Sequence, residues 1–537
     1  LRPIQREIHS RFFRDRFDEE GSVILLEAPT GSGKTAIIIQ LLLEEALPRD
    51  LQVVYLVRTR QQINRVLDEL YKFRQVGNRF NYTFLTTREV LCPHFKALKR
   101  EGVPEDMISL ICRKKRWDDC KVGKLKEIYT PNIECFLNYC AKYGICPYRT
   151  LLYRLKQSDF IVMTYPYLFS WKCRKITKVI DWSNVVLVID EVHNVNSMID
   201  EDRLAFSTIN AVKKRLSRFR ERQALRLLSK VNLEKRRGIT KQLLEEFWRL
   251  TQDYFEPLIW KLYSKLKYLS YAIRRGIFYF EMTQNALHWR SLIPISWKWY
   301  RQSRMIIGMT GTLPDIELLR ILLFQDVEKP IDVLRSSEQI EVKIAVDITS
   351  RWKQRNSQTY QKYASYIECI IKQYEDPNKF SLVVFPSYEM MHNVVKYYSH
   401  PYAMEYRGMK EVDLSGIETF NVVASGKFTE GVEFLDPKNL SRIEAVIIAG
   451  LPYPEPTPYF EEQVKYLSSK LTTDVRSTLM DGQMILRVRQ ALGRAIRSEF
   501  DKSDFYILDN RIAGDNPRAV ELRKRMHIER FRRIRLT

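Results

Sequence analysis

Between Ser22 and Ala46 the chain reads SVILLEAPTGSGKTAIIIQLLLEEA, and this stretch restricts the fold more than any other. Val23 to Leu26 is a short apolar run that suits a buried strand. Pro29 and two glycines break it, and an apolar helical pattern opens at about Thr35. A strand, a glycine-rich loop and a helix in that order cradle phosphate. Gly31 and Gly33 let main-chain N–H groups approach an anion at the helix N-terminus, and Thr30 and Ser32 complete the loop. APTGSGKT fits the phosphate-loop pattern except at Ala28, which stands where a glycine is usual. Lys34 is placed for the β- and γ-phosphates and Thr35 for Mg²⁺. The expected ligand is a nucleoside triphosphate.

A second signal lies at NVVLVIDEVHN, Asn184 to Asn194. Its apolar run suits a central parallel strand that delivers two carboxylates at its carboxyl end. Asp190 is the candidate for the Mg²⁺ shell and Glu191 for the group that accepts a proton from water. Paired acids at a strand end gain meaning only downstream of a phosphate loop, as here. Near the other end of the chain, RQALGRAIR puts Arg494 and Arg497 one helical turn apart, positioned to meet a γ-phosphate from an opposing domain. Upstream of the loop, Gln5 offers an amide able to donate and accept at an adenine edge. Arg58, Thr59 and Arg60 follow a second apolar strand and are suited to gripping a phosphate backbone.

At 537 residues the chain exceeds one core and calls for several domains. Its 88 Lys and Arg against 65 Asp and Glu give a formal charge of +23, which favours a polyanionic partner. No apolar run reaches the roughly 18 residues of a membrane helix. Two segments interrupt the α/β alternation. In the first, rich in Lys and Arg, six of the eight cysteines fall between Cys92 and Cys146. Clustered thiols in an ATP-dependent protein point to a metal, either tetrahedral zinc or an iron–sulfur cluster. Cys135-x4-Cys140-x5-Cys146 with a distant Cys92 contains no CxxC pair, and so suits a cluster better than a zinc ribbon. The second segment, from about Ile209 to Arg275, has long helical periodicity and basic polar faces. Beyond about Pro330 a second α/β pattern begins, with strands expected in KFSLVVFPS, FNVVASGKF, EAVIIAGLP and DFYILD.

RPIQ, APTGSGKT, VRT, DEVH, MTGT, FPS, GKFTEGVEF, GLPYP and QALGRAIR occur in this order across nearly the whole chain. The set resembles the iron–sulfur superfamily 2 DNA helicases of the XPD/DinG family. The resemblance implies an α/β fold of two RecA-like parallel-sheet motor domains, with a cysteine-rich cluster domain and an all-helical arch domain inserted in the first. The expected boundaries are 1–85, 151–205 and 286–328 for the first motor domain, 86–150 for the cluster domain, 206–285 for the arch and 329–537 for the second motor domain. The activity it implies is ATP-driven 5′ to 3′ translocation on single-stranded DNA with duplex separation at forks, in DNA repair. A nucleic-acid-binding ATPase without robust unwinding is the alternative.

Carried over residue by residue, the resemblance assigns Gln5 to adenine and Gln490, Arg494 and Arg497 to the last motif. Glu430 and Gly431 fall in the motif coupling nucleotide to DNA. Cys92, Cys135, Cys140 and Cys146 become ligands of a 4Fe-4S cluster; Cys112 and Cys120 are left over, and one of them could replace a member of that set. Val192 replaces the usual Ala and Glu433 the usual Asp. The compact insertions look like the archaeal XPD form, and a cytoplasmic, nucleoid-associated monomer is expected.

Overall fold

The computed structural model describes residues 20–28, 32–103, 108, 112, 129–171, 178–219, 221–254, 256–295, 301–324, 331–335, 341–409, 411–424, 426, 428–429, 434–436, 440–495 and 502–536. Strands β1 (Ser22–Glu27), β2 (Gln52–Val57), β3 (Tyr82–Leu85), β4 (Phe160–Thr164) and β5 (Val185–Asp190) are buried almost throughout. Such runs belong to parallel sheets covered by helices on both faces. β6 (Glu201–Ala205), β7 (Phe278–Met282) and β8 (Ala286–Ser291) form a separate antiparallel sheet, in the order β6-β8-β7. β9 (Met305–Thr310) and β10 (Ile331–Arg335) return to the first sheet, whose order is β10-β1-β9-β5-β2-β4-β3 with every pairing parallel.

The second sheet holds β11 (Glu341–Ala345), β12 (Phe380–Phe385), β13 (Tyr402–Met404), β14 (Thr419–Val423), β15 (Ile443–Ile448), β16 (Asp504–Ile507) and β17 (Arg530–Ile534). It too is parallel, in the order β13-β14-β12-β15-β16-β11-β17. These are the two RecA-like motor domains. Crossover helices cover them. The helix Lys34–Glu45 buries Ile37, Ile38, Ile39, Leu41 and Leu42. The helix Arg60–Gln75 opens with a capping box, Thr59 accepting from the Gln62 N–H at 3.3 Å while the Gln62 side chain accepts from the Thr59 N–H at 2.8 Å.

The helical insertion is rooted on the antiparallel sheet. Helices Phe206–Arg218, Arg222–Ser229, Lys241–Thr251 and Pro257–Arg275 share one apolar core with Leu204, Phe278, Leu287 and Trp289 from the three strands. Helical periodicity did not announce this root, because its strands are short and mostly polar on the outer face. The segment's single proline, Pro257, opens the longest of these helices at N1, and Gly276 closes it at φ +64°. The cysteine segment bridges two cores. Phe95, Leu98, Val103 and Ile108 join the arch core, whereas Ile133, Phe136 and Leu151 join that of the first motor sheet.

Two helices of the second motor domain reach across to the first. The helix Val475–Leu492 buries Val475 and Leu479 in the first core and Met484, Ile485 and Val488 in the second. The helix Pro458–Ser468 donates from the Tyr459 hydroxyl to the Ser291 carbonyl (2.7 Å) and from the Gln463 amide to the Leu292 carbonyl (2.6 Å), both at the end of β8. No described helix is long and apolar enough to cross a membrane.

Gly450 follows β15 at φ +99°, and a Cβ there would lie 2.3 Å from that of Ser350. Gly450→Ala combines backbone strain with a steric clash. We expect it to lose about 2–4 kcal/mol of stability, measured as a lowered thermal midpoint; an unchanged midpoint would contradict this packing.

Candidate active site

β9 lies between β1 and β5, so the carboxyl ends of three strands converge. The register sets Glu27 beside Thr310 and Asp190 beside Met309. The phosphate loop leaves β1 here. Gly33, at φ +81°, turns the chain into the helix that begins at Lys34, a conformation glycine adopts without a Cβ penalty. Lys34 is buried, and its Nζ donates to the Ala28 carbonyl at 2.7 Å. Ser32 and Thr35 are half-buried at the same loop, and Thr35 exchanges a hydrogen bond with the wholly buried Tyr55. Thr30 and Gly31 lie outside the described residues, as do Gln5, Arg497, Glu430, Gly431 and Cys120.

The two acids sit on a strained elbow. Glu191 has φ +54° and ψ +49°, left-handed values that a side-chain-bearing residue keeps only when its surroundings impose them. Tyr165, which follows β4, imposes them: its hydroxyl donates to the carbonyls of Asp190 and, at 3.0 Å, Glu191. The elbow points the Glu191 carboxylate at His193, whose Nδ1 is 3.1 Å from Oε2, and at the Thr310 hydroxyl, 3.2 Å from Oε2. Burial raises the Asp190 carboxyl to about 7, and the neighbouring Glu191 charge adds to the rise. Burial also pushes Glu191 upward. The hydrogen bonds from His193 and Thr310, with the Lys34 charge, outweigh it and hold the group below the usual carboxylate range. Glu191 therefore stays ionised and keeps an acceptor aimed at the cleft. Asp190 gains most from a bound cation, as its charge is otherwise poorly compensated.

The second motor domain closes the cleft from the opposite side. Arg489 forms an ion pair with Glu27, both side chains nearly buried, and also donates to the Leu313 carbonyl. The Leu313 N–H donates to Glu27 at 2.9 Å. Arg525 reaches Asp315 at 2.7 Å. Gln490 is buried on the same helix as Arg489. Arg494 Nε donates to the Thr429 carbonyl at 2.8 Å, so the candidate finger rests on the loop that follows β14. In the same domain a hollow of about 860 Å³ is lined by Arg351, Arg511, Arg518 and Arg533, with Asp515 among them. Trp352, next to Arg351 in the chain, is 69% exposed, with Arg355 5.3 Å from its ring centre.

The cysteines divide. Cys92, Cys112 and Cys146 lie within electrostatic reach of one another, and burial, reinforced by the neighbouring thiols, pushes the Cys92 and Cys112 thiols up. Cys135 and Cys140 share the helix Ile133–Lys142. Five residues apart, they face directions about 140° different. Cys135 is exposed, while Cys140 is fully buried in the first motor core, where burial raises its thiol to about 12. The donor chemistry, thiols distributed between the motor and arch cores, fits a thiophilic centre. Among the described residues no three ligand-type side chains converge closely enough to hold a metal ion.

The structure brings together the loop lysine and the two acids singled out in the sequence, and adds Tyr165, Glu27 and Arg489, which the sequence did not single out. An aromatic after a strand, an acid just ahead of a phosphate loop and one more basic residue in a basic motif carry no signal of their own. Their partners are set by the fold.

Comparison with known proteins follows the same division. The DEAD_2 family model matches residues 55–208, and that of the Helicase C-terminal domain matches residues 370–527. The ATP-dependent DNA helicase XPD of Sulfolobus acidocaldarius is 28% identical over 531 residues, 91% of this chain and 92% of its own. The rat regulator of telomere elongation helicase 1 is 32% identical over 160 residues, 28% of this chain and 12% of its own. A solved XPD helicase structure superimposes with a TM-score of 0.69 at 24% identity, covering 100% of both chains.

The raised Asp190 carboxyl carries a testable cost. Its folded value lies above the unfolded one, so stability falls as pH rises from about 4 to about 7, and the full penalty persists above. In protein without nucleotide or Mg²⁺, Asp190→Asn should raise the thermal midpoint at pH 8 by about 2–5 °C, have little effect at pH 4 and eliminate ATP hydrolysis. A midpoint lowered at pH 8 would show the acid to be stabilising.

Proposed function

We infer that this chain is an XPD-like, ATP-dependent DNA helicase that translocates 5′ to 3′ on single-stranded DNA and opens forked duplex in DNA repair. The observation that carries the reading is the convergence of Lys34, Asp190 and Glu191 at adjacent strand ends, faced by the arginine-bearing helix of the second sheet. Polarity and the repair role rest on the family resemblance.

ATP lies between the motor domains. Lys34 and Arg494 rest on main-chain carbonyls. A phosphate displaces both, since a charge-assisted bond to an anion is the stronger one. Thr35 and Asp190 would hold Mg²⁺, which supplies neutralising charge on the phosphates. Glu191, fixed by His193 and Thr310, orients the attacking water and takes its proton. Arg494, with Arg497 three residues further along the chain, moves from the Thr429 loop to the γ-phosphate as the cleft closes. That loop belongs to the GKFTEGVEF motif, so the arginine's departure alters a strand-contacting segment in the same stroke. The strand crosses both domains, with phosphates near Arg58 and in the arginine-lined hollow and a base on Trp352. Binding therefore weakens steeply with salt.

A 4Fe-4S cluster in the cysteine domain would be held by Cys92, Cys135 and Cys146 together with Cys140 or Cys112: Cys112 lies within electrostatic reach of Cys92 and Cys146, and Cys140 within reach of Cys146. The cluster would pin the insertion between motor and arch, where duplex is parted. The working form is proposed to be a monomer in the cytoplasm, associated with the nucleoid.

Lys34→Ala should reduce ATP hydrolysis by about a thousandfold or more while leaving strand affinity within about threefold. Turnover near wild type would sink the assignment. Protein purified without oxygen should carry about four irons and matching acid-labile sulfide per chain. One of Cys112→Ser and Cys140→Ser should lose the iron and the other keep it, which names the fourth ligand; iron retained in both variants would overturn the ligand set.

A further inference from the structure

Arg58 is tied to the hydrolytic carboxylate by an unbroken hydrogen-bonded chain. It follows β2, at the start of the helix Arg60–Gln75, and its Nη1 donates to Asn194 Oδ1 at 2.7 Å. Asn194 Nδ2 lies 3.0 Å from His193 Nε2 and 3.3 Å from the Glu191 carbonyl. His193 Nδ1 is 2.6 Å from the Thr310 hydroxyl and 3.1 Å from Glu191 Oε2. The direction of the chain follows from chemistry. A guanidinium only donates, so the Asn194 oxygen must face Arg58 and the amide NH₂ must face His193. Nε2 of His193 is then the acceptor and Nδ1 the proton carrier, pointing at Thr310 and Glu191. Asn194 is buried, which confines its amide to a cramped setting.

We propose that Asn194 is a positioning residue that couples strand binding to ATP hydrolysis, by holding Arg58 and His193 in one mutually dependent arrangement. The inference rests on the helicase reading above, in which Arg58 grips a strand phosphate. When Arg58 turns to a phosphate, the amide oxygen loses its donor, and Asn194 is free to shift against His193. The orientation of Glu191 then registers whether a strand is present. The coupling is reciprocal, as any such linkage must be. A change around Glu191 and Thr310 alters the hold on Arg58, and hence the grip on the strand. Arg58 and Asn194 are 136 residues apart in the chain. Between them lie the cysteine insertion, β3 and β4, yet the pairing of β2 with β5 brings their carboxyl ends side by side.

The test uses the full chain, a dT oligonucleotide and a non-hydrolysable ATP analogue. Two ratios are read within each variant: hydrolysis with strand over hydrolysis without, and strand affinity with analogue over affinity without. In wild type each ratio should depart from one by about tenfold. In Asn194→Ala, and in Asn194→Leu, which fills the same space without either bond, both ratios should collapse to about twofold or less. A structural defect alone lowers rates but leaves such ratios intact. Adding Asn194→Ala to Arg58→Ala should then change neither ratio further. The proposal is overturned if both Asn194 variants keep wild-type ratios, or if they abolish hydrolysis equally with and without strand. A wild-type protein showing neither strand-stimulated hydrolysis nor strand binding would instead overturn the helicase reading, and this proposal with it.

Discussion

Burying a carboxylate in a cleft between two domains is costly unless a cation is paired with it. Glu27, at the end of the strand that launches the phosphate loop, is reached by Arg489 from the other motor domain. Removing one partner of such a pair costs roughly 3–5 kcal/mol, because the other is left uncompensated. The pair therefore sets where the second sheet sits relative to the first. Around it, Leu313 bonds both partners, and Asp315 is held by Arg525. The segment from Thr310 to Asp315 thus touches Glu191 at one end and the second motor domain at the other. This short loop connects chemistry to domain position.

The same economy governs the elbow at Glu191. A left-handed backbone at a non-glycine residue is unfavourable by about 1–3 kcal/mol. The Tyr165 hydroxyl offsets part of this by bonding two successive carbonyls. The result is a carboxylate that leaves the strand at an angle no regular extension would produce. A site this constrained is assembled before its ligands arrive, which suits transfer chemistry that depends on positioning.

How much of this was legible in the sequence depended on whether a signal is local. The phosphate loop and the DEVH strand end were readable because strand, turn and helix occur within a few residues of each other. The parallel sheets were readable from apolar runs. The root of the arch was not, since strands such as EDRLA carry few apolar side chains and gain their partners from β8, more than eighty residues on in the chain. The Glu27–Arg489 pair spans 462 positions, and nothing about either residue names the other. The cysteines are the intermediate case. Their spacing suggested a ligand set, but spacing along a helix does not reveal which side chain faces inward. Cys140 and Cys146 lie in the first motor core and Cys92 in the arch core, a division that the spacing does not announce.

Tyr459 and Gln463 join the second motor domain to the base of the arch through the carbonyls of Ser291 and Leu292. Both acceptors are main chain, so the joint does not depend on which side chains occupy those two positions. Substitutions can accumulate there without loosening it, whereas the two donors are held to residues that carry a hydroxyl and an amide. Sequence change at this contact is therefore expected to be one-sided. The arch can be remodelled over evolutionary time for different cargo or neighbours while its attachment to the motor is inherited intact.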